Sequence, residues 1–82
     1  MLKRTISVTR SMEEVPAALD FVKLAGTFKS TIRVTCGQQG ANAKSTLSVL
    51  ALKLKPGSEL SIEIDGPDSE QAMQALADFL TA

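Results

Sequence analysis

The sequence has no histidine, no tryptophan and no tyrosine, and a single cysteine. Without histidine there is no Ser/His or Cys/His nucleophile pair. The side chain that ordinarily titrates near neutral pH is missing too. One cysteine closes no internal disulfide, which argues against a secreted, stapled scaffold and for a reducing cytoplasm. A lone thiol without imidazole also lacks the donors of a structural zinc site. Neither a metal nor a cofactor is expected. No apolar run approaches the roughly 18 residues of a transmembrane helix, so no membrane partner is expected. The opening residues Met1 to Val8 include Lys3 and Arg4 with no apolar stretch behind them, unlike a signal peptide. Charge of either sign is not in excess. Nine basic and nine acidic side chains sum to zero, whereas dedicated nucleic-acid binders are usually plainly basic.

What remains is an ordinary globular composition in 82 residues, enough for one small domain over residues 1–82. The charges are laid out in blocks. Lys3, Arg4 and Arg10 open the chain, and Glu13, Glu14 and Asp20 follow. From Lys23 to Lys55 every charged residue is basic; from Glu59 onward every one is acidic. Such blocks describe either mixed solvated faces or a bipolar surface that orients a partner.

Residues 2–9 read as a strand, with Ile6 and Val8 alternating against Thr5, Ser7 and Thr9. Residues 10–14 lack alternation and read as a loop. Pro16 suits the first turn of a helix. At 100° per residue, Val15, Ala18, Leu19, Phe21, Val22 and Ala25 share an apolar arc opposite Pro16, Asp20 and Lys23. Gly26 reads as the glycine that ends it. Residues 31–36 alternate again, with Ile32, Val34 and Cys36 on one face. Cys36 is expected to be a buried small hydrophobe. Gly37 to Gly40 reads as a tight turn into a short strand at 40–43. Ser45 can cap a short helix to about Leu52. Lys55-Pro56-Gly57-Ser58 is a turn signal. Residues 59–65 alternate cleanly, and Gly66-Pro67 breaks the strand. Asp68 with Gln71 resembles a capping box for a last helix. Its stripe is Ala72, Met73, Ala75, Leu76, Phe79 and Leu80, with Glu70, Gln71, Gln74 and Asp78 toward water. The order is β-α-β-β-α-β-α. Four strands alternating on one face predict an α+β fold, an open two-layer sandwich with a four-stranded antiparallel sheet covered on one side by three helices.

Pro16-Ala17-Ala18 before Phe21-Val22-Lys23, Ala43-Lys44-Ser45 before Leu47 and Leu50, and Lys55-Pro56-Gly57-Ser58-Glu59-Leu60 occur in this order. With the element order, they resemble the histidine-containing phosphocarrier (HPr) family of the bacterial sugar phosphotransferase system over nearly the whole chain. The resemblance implies an HPr-like fold and a cytoplasmic protein. In that family a Leu-His-x-Arg-Pro motif opens the first helix. Its histidine takes phosphoryl from enzyme I and passes it to sugar carriers. This chain reads Met12-Glu13-Glu14-Val15-Pro16 there. Anchoring on Pro16 sets Glu13 at the histidine position and Val15 at the arginine position. Anchoring on Phe21-Val22 sets Glu14 and Pro16 there. Under either register the acceptor position holds a glutamate and the arginine is gone. Carboxylates do accept phosphoryl groups in other proteins. Here a flexible carboxylate replaces a placed ring nitrogen, and the cation beside the transferring phosphoryl group is missing. No catalytic residue is therefore expected. At a helix N-terminus the glutamates gain about 0.3–1 kcal/mol from the dipole, or they imitate a phosphorylated state.

Ser45 falls where some members, chiefly in Gram-positive bacteria, are phosphorylated by a dedicated kinase and then bind a transcriptional regulator. Ser45 is thus either a phosphosite or a plain N-cap. In the family the short helix and the start of the first helix form an exposed apolar patch that docks protein partners. Here Met12, Leu47 and Leu50 would form it, rimmed by Lys23, Lys44 and Lys53; alternatively Leu47, Leu50 or both belong to the core. Lys53 stands where a glycine is common in the family. The expected role is a regulatory or binding adaptor whose partners are enzyme I-like, sugar-carrier or regulator proteins, with no direct nucleic-acid contact. The alternative is a phosphocarrier with a substituted acceptor.

Overall fold

Period-two alternation builds the sheet. The computed structural model describes Met1–Ala82 and contains four strands: β1 (Leu2–Ser7), β2 (Thr31–Cys36), β3 (Gln39–Asn42) and β4 (Glu59–Asp65). They pair in the order β1-β4-β2-β3, every pair antiparallel. The inward residues of β4 (Leu60, Ile62, Ile64) and of β2 (Ile32, Val34) are buried. Opposite them the sheet presents a polar face. There Glu63 lies between Lys3 and Arg33 in register, and Thr5 shares a 3.3 Å hydrogen bond with Ser61. A one-residue slip of β4 would drive Glu63 into the core, so burial sets this register. In the β2–β3 hairpin Cys36 pairs with Gln39. The first of the two turn residues, Gly37, has φ +63, as a twisted hairpin favours.

Three helices cover the apolar face: α1 (Val15–Gly26), α2 (Thr46–Ala51) and α3 (Ser69–Leu80). Phe21 of α1 is fully buried, its ring 5.8 Å from that of Phe79 on α3. A large apolar side chain buried in this way contributes about 1.5–3 kcal/mol. The predicted α+β sandwich and its element order are therefore present.

Several local expectations are corrected. β1 ends at Ser7 rather than Thr9, because Val8 and Thr9 pair with other segments. Val8 N–H donates to Ser58 O and Thr9 N–H to Leu80 O, while Gly57 N–H donates to Val8 O. β3 spans 39–42 rather than 40–43. Gly26 is not the terminating left-handed residue. It is the last helical residue, and the C-cap is Thr27, whose hydroxyl donates to Leu24 O at 2.7 Å. Cys36 is half-buried, packed against the rim of the core.

The expected Asp68–Gln71 capping box does not form; the Asp68 side chain makes no capping bond. Its carboxylate turns to the loop before β2 instead. It accepts Lys29 N–H at 2.8 Å, Ser30 N–H at 3.0 Å and the Ser30 hydroxyl. This clasp ties the start of α3 to the end of the α1–β2 connection. The Ser30 hydroxyl first, and then the Lys29 N–H, hold the carboxyl below its ordinary value of 3.8. Gly66 makes the clasp possible. At φ +156 it passes so close to Ser30 that an added Cβ would lie 2.5 Å from Ser30 Cα and 2.7 Å from its Cβ.

Two outcomes follow for stability. Gly66→Ala combines a backbone clash with a disfavoured φ and should lower unfolding free energy by about 3 kcal/mol, read from urea denaturation. A pKa lowered on folding gives stability that is present above the unfolded value. It is lost as pH falls from 3.8 through the folded value. Asp68→Asn should therefore be less stable than the native chain at neutral pH. The two urea midpoints should converge as pH is lowered through that window.

Candidate functional site: the face shared by α1 and α2

A strap of backbone bonds places the start of α1. After Thr9, whose N–H and hydroxyl both reach Leu80 O, Met12 N–H donates to Leu54 O at 2.8 Å. The Met12 side chain is fully buried. It was expected on the partner-binding patch, and this is a correction: Met12 belongs to the core. Glu13 and Glu14 follow immediately and both are exposed. Glu14 is the N-cap of α1, with extended backbone, and makes no capping bond; a proline stands at the first helical positions. Neither glutamate forms an ion pair, since the one ion pair in the protein joins Lys3 and Glu63 at 3.9 Å.

The arginine nearest to them in sequence is engaged elsewhere. Arg10 lies 4.1 Å from the centre of the Phe79 ring and donates to Phe79 O at 3.4 Å. It fastens the strap to the end of α3, through cation–π attraction and the carbonyl end of the helix. No guanidinium therefore stands with the two carboxylates. The surface has no pocket, and no cluster of three or more His, Cys, Asp or Glu is able to hold a metal ion. What this site offers is a surface.

Three apolar side chains of α1 and α2 stand exposed on it. Val15 is 56% exposed, Leu19 37% and Leu47 80%. Val15 and Leu19 were expected on the core-facing arc of α1, and this too is corrected. The arc is divided between neighbours. Phe21 packs toward α3, Ala18 and Ala25 point into the core, and Val15 and Leu19 lie on the outer edge. No neighbouring element covers them there, which the helical period alone does not reveal. Leu50 is half-buried against the core, while Val49 and Leu52 are buried, so α2 anchors by one side and presents Leu47 on the other.

Two contacts orient α2. Met12 N–H on Leu54 O sets the start of α1 beside the end of α2. Lys44 Nζ donates to Phe28 O at 2.9 Å, which sets the end of α1 beside the start of α2. The helices thus run roughly antiparallel. Lys44 is exposed, with its ammonium committed to that carbonyl; Lys23 is exposed on α1. Ser45 is the N-cap residue of α2 and half-buried, but its side chain makes no capping bond. The expected capping role of its hydroxyl is absent. Lys44 N–H bonds to Asn42 Oδ1 at 2.9 Å and Ser45 N–H to Asn42 O at 3.0 Å, so Asn42 shapes this corner.

Comparison with known proteins agrees with this architecture. Residues 3–82 match the PTS-HPr family, described as the PTS HPr component phosphorylation site. The chain is 42% identical over 64 residues to the phosphocarrier protein HPr of Lysinibacillus sphaericus, covering 78% of this chain and 73% of that one. It is 32% identical over 75 residues to the HPr-like protein Crh of Halalkalibacterium halodurans, covering 92% and 88%. Its fold superposes on the crystal structure of HPr from Bacillus anthracis with a TM-score of 0.92 at 27% identity, covering 98% and 96% of the two chains. The chain belongs to the HPr family of the phosphotransferase system, whose members are phosphocarriers and HPr-like proteins.

Within that fold one residue sits in a conformation of its own. Lys53, just past the C-cap Leu52 of α2, has φ +50, the only non-glycine residue with positive φ. Lysine in that region is strained where glycine is not. Lys53→Gly should raise stability by about 0.5–1 kcal/mol, less than the full relief because glycine also loosens the unfolded chain. Thermal unfolding measures it.

Proposed function

We propose that this chain is a regulatory or binding adaptor of the phosphotransferase system that does not carry phosphoryl on histidine. It docks on proteins that recognise HPr through the face of Val15, Leu19 and Leu47, with Leu50, Lys23 and Lys44 at its margins, and it acts in the cytoplasm. The observation that carries the reading is one combination. The chain has no histidine, yet exposed apolar side chains, Val15, Leu19 and Leu47, stand on α1 and α2, Val15 directly after Glu13 and Glu14, which the resemblance sets at the acceptor position. A docking role needs the face alone; a carrier role needs the nucleophile as well.

A carboxylate acceptor finds little support in the surroundings. Its attack on a phosphohistidine would form an acyl phosphate and release the imidazole. In that transition state the equatorial oxygens need fixed positive charge. Neither glutamate is ion-paired, and Arg10 is bound to Phe79. In the regulatory reading control falls on Ser45. A phosphoryl group there would add between one and two negative charges at the N-cap of α2, close to the chain that carries Lys44.

Labelled phosphoenolpyruvate with enzyme I, and labelled ATP with the serine kinase, test both halves. The expected result is no label from phosphoenolpyruvate and label from ATP that Ser45→Ala abolishes. Hydroxylamine-sensitive label from phosphoenolpyruvate, lost in Glu13→Gln or Glu14→Gln, would show a carrier and overturn the adaptor reading.

A further inference from the structure

We infer that the free edge of β3 binds an extended segment of another protein as an added antiparallel strand, with an acidic residue of that segment opposite Gly40. The inference goes beyond the adaptor reading and uses neither the α1/α2 face nor Ser45. β3 ends the sheet order β1-β4-β2-β3 and pairs with β2 alone. Its ladder bonds alternate along the strand. Cys36 and Gln39 flank the two-residue turn and exchange the first pair of bonds. Past the other end of the strand, Ala43 N–H donates to Ile32 O at 3.1 Å. Gln39, Ala41 and Ala43 therefore bond toward β2. The N–H and C=O of Gly40 and the N–H of Asn42 point to the open side, where Asn42 O already accepts Ser45 N–H at 3.0 Å. Three backbone groups are left for a short added strand. The stretch Gln39–Asn42 holds no lysine, proline or bulge of the kind that protects an edge.

The side chain that selects the ligand comes from the neighbouring strand. Arg33 is exposed on the polar face of β2, in register with Glu63 on one side and Asn42 on the other. It forms no ion pair with Glu63. Its guanidinium turns toward the edge and lies over Gly40, where an added Cβ would come within 2.8 Å of Nη2. Gly40 leaves the arginine room to reach the edge strand and lets a foreign backbone come close. In an antiparallel pair the residue opposite Gly40 stands about 5.5 Å away with its side chain on the same face. A carboxylate there meets the guanidinium with both oxygens. The surrounding charges favour that sign. From Lys23 to Lys55 the chain has no acid, and Lys44, just past Asn42, has its ammonium on Phe28 O. The acids of the polar face, Glu59, Glu63 and Asp65, all belong to β4, three strand spacings or about 14 Å from an added strand. Asp68 is engaged by Lys29 and Ser30. A second copy of β3 is not the occupant, because Gly40 against Gly40 would set two Arg33 guanidinium groups together.

A blocked pentapeptide, acetyl-Thr-Thr-Glu-Thr-Thr-amide, titrated into the isotope-labelled full chain to about 10 mM and followed by amide NMR, tests this. Three backbone bonds and one ion pair place the affinity in the millimolar range. The expected result is saturating shifts centred on the amides of Gly40, Ala41 and Asn42, with slower exchange of the Gly40 and Asn42 N–H protons. The peptide with lysine in place of its glutamate, and the peptide N-methylated at that glutamate, should each bind at least about tenfold more weakly. Arg33→Glu should reverse the preference, so that the lysine peptide binds better than the glutamate peptide. Arg33 is exposed, and circular dichroism verifies that the variant folds. No saturable shift in the native chain overturns the proposal. So does equal binding of the three peptides, a preference that Arg33→Glu leaves unchanged, or a shift pattern confined to α1 and α2. Arg33→Glu leaves Val15, Leu19, Leu47 and Ser45 in place, so failure here and failure of the adaptor reading are read separately.

Discussion

Strand β4 is the member on which the rest of the molecule depends. It pairs with the first strand on one side and with the β2–β3 hairpin on the other, and these two never meet. One side of it supplies Leu60, Ile62 and Ile64 to the core; the other supplies Ser61 and Glu63 to the polar face. The chain then leaves β4 through Gly66, and Asp68 reaches back to Lys29 and Ser30. The clasp fixes the loop that follows α1. The end of α1 is thereby held by residues about forty positions later in the chain, and its start is held by the strap through Leu54 and Leu80. Both ends of the main helix of the exposed face are thus tied by hydrogen bonds, the start to Leu54 and the end, through the loop before β2, to the N-cap of α3.

Much of this was legible locally, and the misses have a common cause. Alternation in 31–36 and 59–65 is a property of each segment, and it placed β2 and β4 to the residue. Val8 also alternates, yet its N–H goes to Ser58, a partner that no local pattern names. Asp68 has the spacing of a capping residue. A second use of the same carboxylate, three hydrogen bonds to residues 29 and 30, outcompetes the cap because the fold brings that loop within reach. A side chain that satisfies local and distant donors equally well on paper goes where tertiary structure offers more of them.

The same reasoning separates what was legible at the site. The absence of histidine is a count, and it needs no structure. Which apolar residues stay outside is a matter of neighbours. Six residues share the apolar arc of α1, but α3 and the sheet occupy only part of its circumference, so Val15 and Leu19 remain uncovered while Phe21 disappears. Met12 goes the other way. It sits in an irregular segment beside two acids and reads as surface, but the bond from its N–H to Leu54 O draws the side chain inside. Backbone pairing in a loop leaves no periodic signal.

Leu47 shows how the face is separated from the fold. At 80% exposure it adds almost nothing to the core, and α2 is retained by Val49, Leu52 and the inner half of Leu50. Binding at this face and stability of the domain are therefore nearly independent quantities. A surface of this size binds weakly, and in weak binding a single charge matters more. About 1.4 kcal/mol is a tenfold change in occupancy, and that is within the range of one charge-assisted hydrogen bond. In the proposed role the fold no longer moves a phosphoryl group, so its output is occupancy alone. Glu13 and Glu14 at one end of α1, Lys23 at the other and Ser45 beside the second helix are then the groups able to set which protein occupies the face. Each can do so without disturbing the core that holds it.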